Sequence, residues 1–164
     1  MSANFLDKLE GIIKLEKELY QDLFDLSLSK QQAILNRDIH KLSQMVKKEE
    51  ELVAEMGKVE KDRLDILASL AKLWRLSTGK LTLKKIIELA PSSHTERLKR
   101  MGDSLLSTIM ELAALNKVNE RLIEDSLALT RLLLKTIVEG NAVVYGHQGE
   151  KKERGLNLLL NQQA

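Results

Sequence analysis

From Ile39 to Trp74 the chain keeps an alternating three-and-four spacing, with Leu42, Val46, Val53, Met56, Leu67 and Leu70 on it and Glu49, Glu60 and Arg63 in the remaining places. Sustained over about five heptads, that spacing is the signature of a helix with a coiled-coil seam. Such a helix is roughly 50 Å long and has to lay its seam against other helices. Composition agrees, since aromatic residues make up 3% of the chain and proline occurs once, a balance that favours helices over sheets. At 164 residues the chain is long enough for one domain with a real core and too short for two comfortable ones.

The remaining segments fit around this helix. A first helical pattern runs through Phe5, Leu9, Ile12, Leu19 and Leu23, with Glu16 and Lys30 in the same register, and fades near Asn36. Asp38 is placed to cap the helix that follows. Ser77, Thr78 and Gly79 stop that helix, Thr82 can cap a short one from Leu83 to Ala90, and Pro91 with Ser92 and Ser93 makes the next break. A third long helix is expected from near Thr95 to around Gly140. Long helices joined by short turns return antiparallel. The fold class expected is therefore all-α: an elongated antiparallel bundle of about three long helices with a short connecting helix. The helical domain is expected over residues 1–145. Beyond it Gly146, Gly149 and Gly155 punctuate a charged stretch from Glu150 to Arg154, before Leu156, Leu158, Leu159 and Leu160. Residues 146–164 are expected to form a flexible tail.

Charge and chemistry exclude several functions. Lys and Arg number 26 against 24 Asp and Glu, a net charge of +2, and the signs are interleaved, as in Lys47, Lys48, Glu49, Glu50 and Glu51. No basic face stands out for a nucleic acid, and few aromatics are available to stack bases. No apolar run approaches the length of a membrane span, and MSANFLDKLEG carries neither a secretion-signal core nor a lipidation motif. Absence of cysteine removes disulfides, thiolate nucleophiles and most structural zinc sites; a cytoplasmic protein is the simplest expectation. A helical bundle that does metal chemistry calls for Glu-x-x-His on inward faces, but Arg37, Pro91 and Val144 precede His40, His94 and His147 at that spacing. All three histidines are expected at the surface or in turns. No phosphate loop or serine elbow is present, so neither an enzyme nor a bound metal or cofactor is expected.

Three features remain. Asn116 and Asn119, three apart, share a stripe otherwise built from Leu105, Ile109, Leu112, Ile123, Leu133 and Ile137. Amides at apolar positions fix which helix packs where more than they strengthen the packing. Glu60 and Arg63 lie one turn apart on the seam; a solvent-reached edge is the expectation, a polar layer specifying the pairing the alternative. Lastly, between Ile123 and Val138 the residues Leu127, Leu129, Leu132, Leu133, Leu134 and Ile137 surround most of the helix, leaving a polar stripe through Glu124, Arg131, Lys135 and Glu139. Such a segment is either the central helix of the bundle or an apolar surface awaiting a partner.

Taken together, LEKELYQDL, AILNRDIHKL, KKEEELVAEMGKVEKDRLDIL, LTLKKII, LNKVNERLIEDSL and YGHQG, in this order, resemble the FlgN family of bacterial flagellar export chaperones. Order and spacing carry the likeness: Glu18, Asp38 before a long helix, Arg63 late in it, the Asn116 and Asn119 pair, then Tyr145, Gly146 and Gly149. The resemblance implies binding, in the cytosol, of the carboxy-terminal helices of the hook-filament junction proteins FlgK and FlgL, with prevention of premature assembly and delivery to the flagellar export gate. On that implication the client surface is expected around Asn116, Asn119, Leu122, Ile123, Leu127 and Leu134. Gate docking is expected at Tyr145 and Gly146, against the alternative of a tyrosine packed on the bundle end. The tail leucines could mask the client surface. The rival class is a structural or adaptor coiled coil that uses the same seams to self-associate.

Overall fold

The computed structural model describes the backbone of residues 1–145 and the side chains of residues 1–140. In chain order it contains α1 (Ser2–Leu35), α2 (Ile39–Leu73), a 3-10 turn (Thr78–Lys80), α3 (Leu83–Leu89) and α4 (Ser92–Tyr145), with no strand among the described residues. The fold is all-α. Residues 146–164, where the tail is expected, lie outside the described residues. The chain divides into two compact units, Met1–Leu122 and the residues from Ile123 onward.

Helix ends follow local chemistry. The Asp38 carboxylate accepts the N–H of Lys41 at 2.9 Å and caps α2, and the Thr82 hydroxyl accepts that of Lys85 at 3.2 Å and caps α3. At the end of α1, Arg37 takes a left-handed conformation (φ 55°). Its N–H donates to the Ile34 carbonyl at 3.1 Å and that of Asp38 to Ala33 at 2.9 Å, a Schellman ending without glycine. Arg75 (φ 54°) repeats the device after α2, with the Leu76 N–H donating to Ala71 at 2.8 Å. That ending stops α2, and Gly79 lies beyond it in the 3-10 turn. The Pro91 carbonyl accepts the N–H of His94 at 2.9 Å, so α4 starts at Ser92, three residues before the expected Thr95. It also runs through Gly140 to Tyr145, because a glycine weakens a helix interior without ending it.

Within Met1–Leu122 the helices run up, down and up. Two ion pairs join α1 to α2 with opposed numbering, Lys30 to Glu49 at 2.7 Å and Glu16 to Arg63 at 3.1 Å. α4 lies along α1 in the same direction, with His94 beside Glu10 and Asn116 beside Ser27. One hydrophobic core joins Leu6, Leu9 and Ile13 of α1, Leu70 and Ala71 of α2, Leu81, Ile86 of α3 and Leu98 of α4. There Gly102 gives α3 its close approach to α4: a Cβ at that position would fall 2.5 Å from a methyl of Leu83.

The α2 seam differs from expectation in one of its two columns. Leu42, Glu49, Met56, Arg63 and Leu70 face inward as expected, but beside them stand Met45, Leu52, Val59 and Ile66, while Ile39, Val46 and Val53 are exposed. Later in that second expected column Leu67 and Trp74 are half-buried against the core, as expected. Both columns satisfy a three-and-four spacing; the side on which α1 lies chooses between them.

Candidate functional site

Polar layers in the first unit position its helices. The Ser27 hydroxyl donates to Asn116 Oδ1 at 2.6 Å, while the Asn119 amide nitrogen donates to the Ser27 carbonyl at 2.9 Å and its hydroxyl at 3.1 Å. Asn119 is 4% exposed, and its Oδ1 is buried without a partner. The asparagine pair thus fixes the register of α4 on α1. Asn116 lies at the solvent edge and Leu122 is half-buried. Ser27 occupies the α1 register four residues after Leu23, a small polar residue where the pattern calls for a leucine. It carries no other mark in the sequence.

Arg63 makes the second layer. It forks onto Glu60, its Nε at 2.8 Å, and its Nε also lies 3.1 Å from Glu16 across the seam. Glu60 is solvent-reached, as an edge would be, yet Arg63 ties it to buried Glu16, so the pair also forms the polar layer. Burial holds the Glu16 carboxyl above the ordinary value of 4.5; the Arg63 guanidinium opposes this, and the Glu60 charge adds to it.

His94 corrects the expectation for the histidines. The early start of α4 turns it onto α1, where it is buried with its Nδ1 2.7 Å from Glu10 Oε1 and 3.9 Å from Asp7 Oδ1. Asp7, Glu10 and His94 place their ligand atoms within 4.8 Å of one another, the set among the described residues that could hold a cation. Arg97 Nε stands 3.4 Å from the other Glu10 oxygen and already balances that carboxylate. Asp7 and Glu10, one turn apart on α1, were the sequence signal that an inward base would face them. His40 is exposed and lies beside Gln44; His147 lies outside the described residues.

The second unit offers a different surface. Leu127, Leu132, Leu134 and Ile137 are 51%, 60%, 57% and 57% exposed, and Ile123, Leu129 and Leu133 are exposed as well. Of the two possibilities for this segment, the structure shows the exposed apolar surface. Thr130 and Thr136 donate their hydroxyls to the Ser126 and Leu132 carbonyls, so they add little polarity to it. Glu124, Arg131, Lys135 and Glu139 form the polar stripe, with Lys135 3.8 Å from Glu139. Ile123, Leu127 and Leu134 share one flank of this helix. The Tyr145 side chain, Gly146 and the tail leucines lie outside the described residues.

The family model described as FlgN protein matches residues 1–153. The chain belongs to the FlgN family. FlgN proteins are cytoplasmic flagellar export chaperones, not enzymes, and this chain is a flagellar export chaperone that binds flagellar proteins. No curated protein and no solved structure matches it. Among the described residues, no helix is long and apolar enough to cross a membrane.

Proposed function

We propose that this FlgN chain binds the carboxy-terminal helices of the hook-filament junction proteins FlgK and FlgL through the α4 surface that includes Ile123, Leu127 and Leu134. In the cytoplasm it keeps them from assembling early and delivers them to the export gate, with Tyr145 and Gly146 as the docking point. The observation that carries the reading is the exposure of Leu127, Leu132, Leu134 and Ile137 on one helix. An apolar surface of this extent marks a binding site, and an amphipathic helix laid against it is a standard recognition mode. Asn116 and Asn119 contribute by holding α4 to α1 through Ser27, and contact with the client falls to the leucines.

Because Leu127 and Leu134 are exposed, replacing both with Ser should leave the thermal midpoint within the range of ordinary surface changes. The same variant should weaken calorimetric binding of a FlgK carboxy-terminal peptide by about 1–3 kcal/mol, the scale of burying one or two aliphatic side chains. Unchanged affinity with an intact fold would sink the assignment. For the gate, a chain ending at Val144 is expected to bind its client normally and to lose gate binding; retention of both rules that docking point out.

A further inference from the structure

Lys14 and Lys17 of α1 face Arg97 and Arg100 of α4 across a groove of about 380 Å³, floored by Ile13 and Met101 and flanked by Ser104. Each pair of cations is spaced three residues apart, so each helix presents its charges one turn apart along the groove. Arg97 is engaged with Glu10 at 3.4 Å, and Arg100 donates to the Glu96 backbone carbonyl at 3.3 Å. Among the described residues no carboxylate pairs with Lys14, Lys17 or Arg100. In sequence the charges looked evenly mixed; packing α4 parallel to α1 collects these four, in a chain whose net charge is only +2.

We propose that this groove is a second docking surface, and that its occupant is an acidic amphipathic helix of a partner protein. An apolar floor between two cationic walls suits a ligand with an apolar ridge flanked by carboxylates. Glu residues three or four apart on a helix match Lys14 and Lys17, one turn apart on the α1 wall, and a further Glu matches Arg100 on the α4 wall, Arg97 being engaged with Glu10. A free phosphate would need converging donors, yet at these mid-helix positions the backbone N–H groups are already bonded within the helices, leaving the Ser104 hydroxyl as the neutral donor in the lining. A nucleic acid would find no aromatic side chain in the lining on which to stack a base. This surface is independent of the client assignment, since its residues all belong to the first unit.

The test uses the full chain and fluorescein-labelled peptides of about 18 residues, long enough to hold a helix when bound. One peptide has a Leu ridge flanked by Glu, a second carries Gln in place of Glu, and a third carries Lys. The Glu peptide should bind about ten-fold tighter than the Gln peptide, and added salt should erode the difference. The Lys14→Glu, Lys17→Glu double variant, altered only at exposed positions, should keep its circular dichroism spectrum and thermal midpoint. It should lose about ten-fold affinity for the Glu peptide and gain affinity for the Lys peptide. Leu127→Ser with Leu134→Ser should change none of this. Equal binding of Glu and Gln peptides, or indifference to the lysine reversal, overturns the proposal. So does a lysine-dependent affinity for pyrophosphate, poly-U RNA or anionic vesicles without affinity for the Glu peptide.

Discussion

At Asn119 a buried amide gives both its donor contacts to Ser27 while its oxygen finds nothing. Such a residue costs stability and fixes register. Asn119→Leu, which removes the orphan acceptor, is expected to leave stability unchanged or raise it in urea titrations. Asn119→Asp sets a carboxylate oxygen against the Ser27 carbonyl in a buried site and should cost about 3 kcal/mol or more. Comparable losses for the two variants would show that the amide is a net stabiliser. Glu16 gives a prediction of another kind. Its raised pKa means that the native state holds its proton more tightly than the unfolded chain does. Its contribution is therefore fully present below the ordinary carboxylate range and is lost as pH rises through the raised value. Against Glu16→Gln, which stays neutral, the thermal midpoint of the wild-type chain should fall as pH climbs through and above the ordinary carboxylate range. A difference that grows in the opposite direction would mean that the Arg63 ion pair outweighs burial.

At the scale of the helix, α1 and α2 both end on an arginine in the left-handed region. A Cβ there costs about 1 kcal/mol that glycine avoids, although glycine gives part of it back through the freer unfolded chain. Arg37→Gly and Arg75→Gly should each stabilise the protein by about 0.5 kcal/mol in denaturant titrations; a loss at either position would mean that its side chain contributes more than its exposure suggests. The same two endings show why element boundaries were only partly legible. Asp38 and Thr82 cap through side chains that the sequence displays. The arginine endings are backbone arrangements that any residue can enter if the following chain demands it.

Across the molecule, burial is uneven. Leu6, Leu9, Leu70, Ile86 and Leu98 are essentially sealed, whereas most large apolar side chains from Ile123 to Ile137 are exposed. Amide hydrogen exchange should therefore be slowest in the segments around Leu9, Leu70 and Leu98 and fastest, among the described residues, from Ile123 to Gly140. Adding the FlgK peptide should slow exchange in that second segment. Protection appearing instead around Ile39, Val46 and Val53, the exposed column of α2, would move the client surface to the first unit. Light scattering separates this from the adaptor alternative: a chaperone forms a defined mixed complex with the peptide, while an adaptor self-associates and ignores it.

The sequence alone determined what depends on short-range chemistry. The three-and-four spacing set the helical class, Asp38, Thr82 and Pro91 set three junctions, and the leucine surplus after Ile123 marked a segment that was either a central helix or an exposed surface, a choice left to the tertiary structure. The polar marks at Asn116 and Asn119 signalled specific pairing without naming Ser27 as their partner, whereas Glu60 and Arg63 read first as a solvent-reached edge, and only the structure, by bringing Glu16 to Arg63, made them part of a polar layer. Tertiary structure decided everything that depends on which side of a helix meets a neighbour. It chose Met45, Leu52, Val59 and Ile66 over the equally periodic Val46 and Val53, and it buried His94 on Glu10. It also drew Lys14, Lys17, Arg97 and Arg100 to one groove. Periodicity states that a helix has an apolar face and roughly how wide it is; only the arrival of the second helix states where its edges lie, and edges are where polar side chains find their partners.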